Sequence, residues 1–510
     1  MRTVRGRTDR VVVIGAGLAG LSAALHLAGR GREVVVLERA AVPGGRAGRL
    51  DVGGYRLDTG PTVLTMPDIL EQTFAAVGDT LGDRLDLRPL HPAYDARFAD
   101  GTRLAVHSEP DAMYAEVRRF AGAAEADRYL RLRNWLGRLY RAQYERFIAA
   151  NLDSPLSAVT PALARVVALG GFRSVETKIA QMLRDERLRR VFSFQSLYAG
   201  VAPQRALAVY AVIAYMDTVA GVYFPRGGVR ALPDALAAAA VDAGVDLRYD
   251  AAVTAFERTG ARVTAVRTAA GERLACDAVV ATTEPHLTYR LLGAAPRRVV
   301  PLRAAPSAAI VHVGLPAGAD IGHHTIGFGA AWRRTFDELI TEGRTMSDPS
   351  LLITRPTATD PGLAPPGRDL VSVLAPVPNL AVHRDGSVLD WDADGERYLR
   401  EVLAVAAARV HPGLADAQIL ATITPADWAR ADMFAGTPFS YAHTLTQTGP
   451  FRPGNFPRAF DNVVLAGSGT TPGVGVPTAL ISGQLAADRI TGVVRGTARV
   501  RATGARHDAA

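Results

Sequence analysis

Three glycines at 15, 17 and 20, a carboxylate at Glu38 and a second glycine turn carrying an arginine, Gly44-Gly45-Arg46, form the set best suited to chemistry in this chain. Their chemistry is anion binding. Gly15 allows a tight turn, Gly17 lets the backbone approach a pyrophosphate, and Gly20 lets a helix pack closely on a strand. Glu38 falls 18 residues after Gly20, where a carboxylate accepts hydrogen bonds from an adenosine ribose. The Gly-Gly-Arg turn offers backbone N–H groups and a guanidinium to phosphate oxygens.

The elements needed to position these groups are written around them. Val11-Val12-Val13-Ile14 reads as a buried parallel strand, a helical run follows from Leu21, and Val34-Val35-Val36-Leu37 reads as the second strand. The helix N-terminus points unpaired N–H groups and a positive dipole end at the pyrophosphate. Residues 11–29 lack charge and follow the basic Arg2, Arg5, Arg7 and Arg10, as in a secretion signal. Regular glycines, the β-branched opening run and Glu38 favour the βαβ unit instead. The acid at Glu38 disfavours a 2′-phosphate. With the second glycine turn, the dinucleotide is expected to be FAD. Arg39 and Gly60-Pro61-Thr62 are assigned to the same site.

A matching unit closes the chain. Asn462 to Ala466 reads as an apolar strand, Gly467-Ser468-Gly469-Thr470-Thr471-Pro472-Gly473-Val474-Gly475-Val476-Pro477 as a glycine-rich turn, and Thr478 to Ile490 as a helix. Gly467, Gly469, Gly475 and Val476 are its cofactor-site residues. The turn contains no Cys or His, so the flavin is expected to be held non-covalently. Between the two ends, residues 111–220 read as mostly helical: Glu116–Phe120, Ala123–Ala150, Ser174–Asp185 and Arg205–Tyr215. Short strands follow at Leu247–Tyr249, Ala252–Arg258, Arg262–Thr268 and Leu274–Thr282.

The N-terminal segment resembles the flavin amine oxidase and carotenoid desaturase superfamily. The C-terminal turn is similar to the signature of bacterial-type phytoene desaturases, as are Phe192–Gly200, Gly221–Gly228, His323–Gly329, Leu374–Leu380 and Phe451–Asn455. Thr471 departs from that family, which commonly has His before Pro-Gly. Asp153–Ser157 lacks an Arg/Asp pair seen in some members. The resemblance implies an α/β fold: a Rossmann-type FAD-binding domain built from the discontinuous segments 8–100, 225–295 and 456–495. It also implies a mainly helical substrate and membrane-associated region at 101–224 and an α+β substrate-binding domain at 296–455. A disordered tail is expected at 496–510. Val253 would touch the adenine side of the cofactor.

Composition narrows the partners. The 510 residues carry a net charge of +8, and Lys178 is the single lysine among 58 basic residues. These charges are scattered and not interleaved with aromatics, which argues against nucleic acid, while a basic surface suits anionic lipid. The lone Cys276 precedes an apolar strand and reads as a buried structural thiol. No His, Cys and carboxylate spacing suggests a metal. Nothing indicates export, so the expected place is the cytoplasm, peripherally against a membrane.

The resemblance implies stepwise desaturation of 15-cis-phytoene, through to lycopene, with oxygen or a quinone as electron acceptor. Such a hydrocarbon is bound by apolar burial, worth about 25 cal/mol per Å². The apolar run Ala206–Met216 is too short to span a membrane and reads as a core helix or a tunnel wall. Family members carry an acid at Asp217, the first acid/base candidate; His323 is the second. Rival activities on the same scaffold are carotenoid cis–trans isomerisation, terminal-methyl oxygenation and amine oxidation. A non-catalytic prenyl-lipid carrier is the rival outside enzymes.

Overall fold

The computed structural model describes residues 1–294, 300–381 and 389–493; the expected tail at 496–510 lies outside them. A five-stranded, all-parallel sheet places Arg10–Ile14 at its centre. Glu33–Leu37 and then Asp246–Arg248 lie on one side, Ala278–Ala281 and then Val463–Leu465 on the other. The Val-rich strands are buried on both faces, as a parallel sheet requires. On one face Val11, Val13, Val34 and Val36 pack with Leu21, Leu25, Leu236 and Leu480 of helices Leu18–Ala28, Ala231–Asp242 and Val476–Thr491. On the other, Val12, Ile14 and Val279 pack with Val263, Val266 and Leu274 of a three-stranded antiparallel meander. The first and last helices cross so closely that a Cβ on Gly483 would lie 2.7 Å from Ala23 N.

Two strand expectations change. Leu247–Tyr249 was expected to run with the meander, but Asp246–Arg248 extends the parallel sheet beside Glu33–Leu37. Leu274–Thr282 divides into Arg273–Ala275 in the meander and Ala278–Ala281 in the parallel sheet. Asp277 makes the break: its carboxylate accepts from Arg10 N–H, and its own N–H donates to Arg10 O. Cys276 sits at this junction, buried, with its thiol pushed up to about 12 by desolvation.

A second sheet of seven strands runs in the order Gln418–Ile423, Ser307–Pro316, Arg368–Val377, Leu351–Thr354, His324–Phe328, Tyr94–Phe98 and Arg103–Val106. Its neighbours are antiparallel except His324–Phe328 with Tyr94–Phe98. Helix Trp391–Arg409 buries Leu399, Val402 and Leu403 against Val311, Val313 and Val373. The helical stretch begins with Pro110–Ala121 and Ala123–Gln143. The latter stops short of the expected Ala150, giving way to a π turn at Tyr144–Ile148. Helix 205–215 also starts late, with a 3-10 turn at Ala208–Ala211 leading into Val212–Thr218. Its first residues pair elsewhere: Ala206 O accepts from Val175 N–H, and Ala208 N–H donates to Arg173 O.

Candidate functional site

One cavity of about 1180 Å³ reaches from the glycine turns to the space between the seven-stranded sheet and the helices. At its glycine-lined end stand Gly15, Gly17, Glu38, Arg39, Gly44, Gly45, Arg46, Gly60, Pro61, Thr62, Val253, Gly467, Gly475 and Val476. Two residues assigned with them do not line it. A Cβ on Gly20 would overlap the Gly15 carbonyl oxygen, and one on Gly469 would strike the Pro285 ring. Both glycines serve close packing.

Gly15 has φ +100°, and a Cβ there would lie 2.5 Å from Thr282 Oγ1. Gly17 differs. Its φ is −76°, and the nearest protein atoms to a Cβ would be 3.9 Å away. No protein contact demands glycine at 17; open space toward the cavity remains as the reason. Glu38 is 7% exposed and turned inward, with Oε2 accepting from Ala16 N–H at 2.7 Å and Oε1 from Ala40 N–H at 2.9 Å. Each carboxylate oxygen keeps acceptor capacity for a further donor. The helices Leu18–Ala28 and Val476–Thr491 begin at Gly17 and Gly475 on the cavity wall.

The arginines are committed differently from the expectation. Arg46 pairs with Glu284, whose other oxygen accepts from Ser440 Oγ. A buried carboxylate needs such a partner. The Arg46 Nε stays buried with no partner among the described residues, a donor left for a ligand. Arg39 forms an ion pair with Asp432 at 2.7 Å on the cavity rim. The glycine cradle, two helix N-termini, an inward carboxylate and an orphaned guanidinium donor fit a dinucleotide.

Away from the cradle the walls turn apolar, with Phe194, Ile213, Met216, Ile326, Phe328, Phe336, Leu352 and Leu374. The run 206–216 supplies much of one wall through Leu207, Val209, Val212, Ile213 and Met216. Asp217 follows it, 3% exposed and lining the cavity. Burial pushes its carboxyl up to about 7, against the opposing effect of the hydrogen bond from Tyr94 Oη. His323 does not line the cavity. Its Nδ1 lies 2.6 Å from Thr359 Oγ1, and its ring sits edge-on to Phe224. Burial drives it, like His324, far below the usual imidazole range.

Glu284, Tyr94 and His443 lie outside every motif read from the sequence, whereas Tyr198 falls in Phe192–Gly200 and Tyr210 in the apolar run Ala206–Met216. Glu284, Tyr94, Tyr198, Tyr210 and His443 arrive from distant segments, and only the folded chain juxtaposes them. Among the described residues no His, Cys and carboxylate group could hold a metal ion.

The chain belongs to the flavin containing amine oxidoreductases, whose family profile matches residues 18–491. Within that family it is similar to bacterial phytoene desaturases. It is 61% identical to a phytoene dehydrogenase of Streptomyces griseus, over 96% of this chain and 97% of the relative. It is 35% identical to a ζ-carotene-forming phytoene desaturase of Myxococcus xanthus, over 94% and 93%. It is 31% identical to a lycopene-forming phytoene desaturase of Pantoea ananas, over 93% and 97%. Among solved structures, a putrescine oxidase bound to putrescine shares the fold, with TM-score 0.60 and 16% identity over 95% of this chain and 99% of that one. The protein is an FAD-dependent oxidoreductase.

Proposed function

We propose that this chain desaturates 15-cis-phytoene stepwise, through to lycopene, using FAD. The observation that carries the reading is the continuity of one cavity: a glycine-lined cradle opens directly into an apolar passage with a buried carboxylate, Asp217, in its wall. An amine substrate would want a polar or aromatic-caged end. A polyene wants length, apolar walls and few charges. The division into an FAD-binding part at 8–100, 225–295 and 456–495, a helical part at 101–224 and a substrate part at 296–455 is proposed on the same grounds.

Gly15, Gly17, Gly44, Gly45, Glu38, Arg46 and the turn Gly467–Val476 would hold the cofactor. Bound FAD supplies the oxidising capacity for removing two hydrogens from a CH2–CH2 unit. The chain's own side chains do the rest. Phe194, Ile326, Phe328 and Leu374 align the hydrocarbon and exclude water, which favours one reacting geometry. Asp217, poised near neutral, takes the departing proton on its carboxylate. Tyr94 Oη fixes the carboxylate's orientation through Oδ2.

The substrate and products partition into lipid, so a membrane must supply and receive them. No helix among the described residues is long and apolar enough to cross a bilayer. Leu156, Val159, Val167, Phe172, Leu445 and Phe451 are half to largely exposed. Phe172, Leu445 and Phe451 line the cavity, and the first three neighbour the lining residues Pro155, Ala158 and Val166. Arg141, Arg146 and Arg165 gather, with Glu145, around Thr160–Ala162, next in sequence to Val159. This apolar rim with basic flanks suits peripheral docking on an anionic cytoplasmic membrane face. The proposed electron acceptor is oxygen or a membrane quinone.

Expression in cells that accumulate phytoene tests the activity. Red pigment identified as lycopene supports the full reaction, and ζ-carotene or neurosporene supports desaturation with fewer steps. Unchanged phytoene in cells holding flavin-loaded protein would overturn it.

A further inference from the structure

His443 lies outside every motif read from the sequence, yet it lines the cavity beside the C-terminal glycine turn. A Cβ added to Gly473 would collide with its ring, coming within 2.7 Å of Nε2. The imidazole is buried, and Nε2 has no partner among the described residues. Nδ1 is 3.0 Å from Tyr210 Oη, which is itself 2.7 Å from Thr448 Oγ1.

This short chain of hydrogen bonds determines the tautomer. Thr448 Oγ1 donates its one proton to Thr444 O at 2.6 Å. Thr448 can then only accept, so Tyr210 must donate to it. Tyr210 Oη in turn accepts from His443, placing the imidazole proton on Nδ1. Nε2 is left as a bare lone pair. Burial and the nearby Arg452 charge keep the ring neutral. Arg452 also braces the turn, donating to Ser468 O and Thr470 O. A buried acceptor without a donor is costly, and the site is organised to keep it so until a ligand arrives.

We propose that His443 is a positioning residue for the cofactor, with Nε2, beside Gly473, accepting a hydrogen bond from an N–H or O–H of bound FAD. The proposal rests on reading the glycine-lined end as the FAD site and adds a contact outside the glycine motifs. Tyr210 and Thr448 act through His443 by holding its proton on Nδ1.

FAD titration of the deflavinated full chain, read by flavin fluorescence, tests this alongside the melting temperature of the flavin-free protein. Asn reaches the place of Nδ1 but not of Nε2, whereas Gln can return an acceptor to the Nε2 place. His443→Asn should weaken FAD binding about five- to tenfold, the size of one neutral hydrogen bond. The flavin-free melting temperature should stay near that of the original protein. His443→Gln should recover most of the affinity. Tyr210→Phe, which frees the tautomer, should weaken FAD in the same direction without touching the cofactor cradle. Unchanged FAD affinity in His443→Asn, or equal losses in the Asn and Gln variants with equally lowered melting temperatures, would overturn the proposal. Should His443→Asn not fold, Tyr210→Phe decides: unchanged affinity overturns the proposal, and weakened affinity at an unchanged melting temperature supports it. Failure of the unaltered protein to bind FAD would instead overturn the FAD reading itself.

Discussion

Tyr94 Oη donates to Asp217 Oδ2 across 3.2 Å, tying a strand of the seven-stranded sheet to the helix that walls the cavity. The bond is long, and it stabilises the carboxylate less than burial destabilises it. Desolvation therefore wins, and the group is held near neutral rather than near the usual carboxylate value. A residue in that state can change protonation at working pH.

Turnover should rise with pH through about 7, as Asp217 becomes the carboxylate that accepts a proton. Asp217→Asn should keep flavin and fold, lose that rising limb, and lower turnover by roughly 10²–10⁴. Initial rates across pH 5.5–9 (a range of about three to four units, wide enough for one titration) measure it. Little loss in the variant would return Asp217 to a structural role.

The same group links stability to pH. Between the ordinary value of 3.8 and about 7, the folded chain retains a proton on Asp217 that the unfolded chain releases. Its contribution to stability is therefore highest below the unfolded value, falls as pH rises through this window, and levels off above it. Asn mimics the protonated acid, so Asp217→Asn should melt like the original protein in acid and higher than it at alkaline pH. Paired melting curves at the two ends check the sign. A variant that melts lower at alkaline pH would contradict it.

Gly17→Val puts a branched side chain into the open space beside Gly44 and Gly45. Since protein atoms leave room for a Cβ there, the fold should survive while flavin is lost. Absorbance of the purified variant reads flavin content, and circular dichroism reads fold. Normal flavin content would sink the assignment of this turn.

The apolar rim should carry membrane contact. Leu156→Glu with Phe172→Glu removes two exposed apolar side chains and adds repulsion from anionic lipid. Loss of their burial alone, at about 1.5 kcal/mol or more each, should weaken binding to anionic liposomes at least about a hundredfold. Flotation before and after the substitutions measures this. Undiminished flotation of the variant would place the contact elsewhere.

How much of this was legible beforehand follows from chain separation. Gly15, Gly17, Gly20 and Glu38 lie within one βαβ unit, so their spacing alone was enough to expect a dinucleotide cradle. Gly20, read from its spacing as a packing glycine, and Gly469, read as a cofactor-site glycine, both sit within motifs that also hold phosphate glycines. Only neighbouring atoms, Gly15 O and the Pro285 ring, tell them apart. The ion pair of Arg46 with Glu284 was not legible, since Glu284 is 238 residues away. Tyr94 with Asp217, and Tyr210 with His443, meet across separations of 123 and 233 residues. Local pattern holds no trace of such pairs. The strand read at 274–282 divides for the same reason, since Asp277 ties to Arg10, 267 residues away, and breaks an otherwise continuous apolar run.

The most direct test supplies flavin-loaded protein with 15-cis-phytoene in liposomes and an electron acceptor, oxygen or a quinone. Absorbance and chromatography then follow the polyene. Stepwise appearance of longer conjugated chains, ending at lycopene, is the predicted result. No red-shifted product, together with conversion of a cis-carotene to its trans isomer by the same preparation, would contradict desaturation and leave an isomerase.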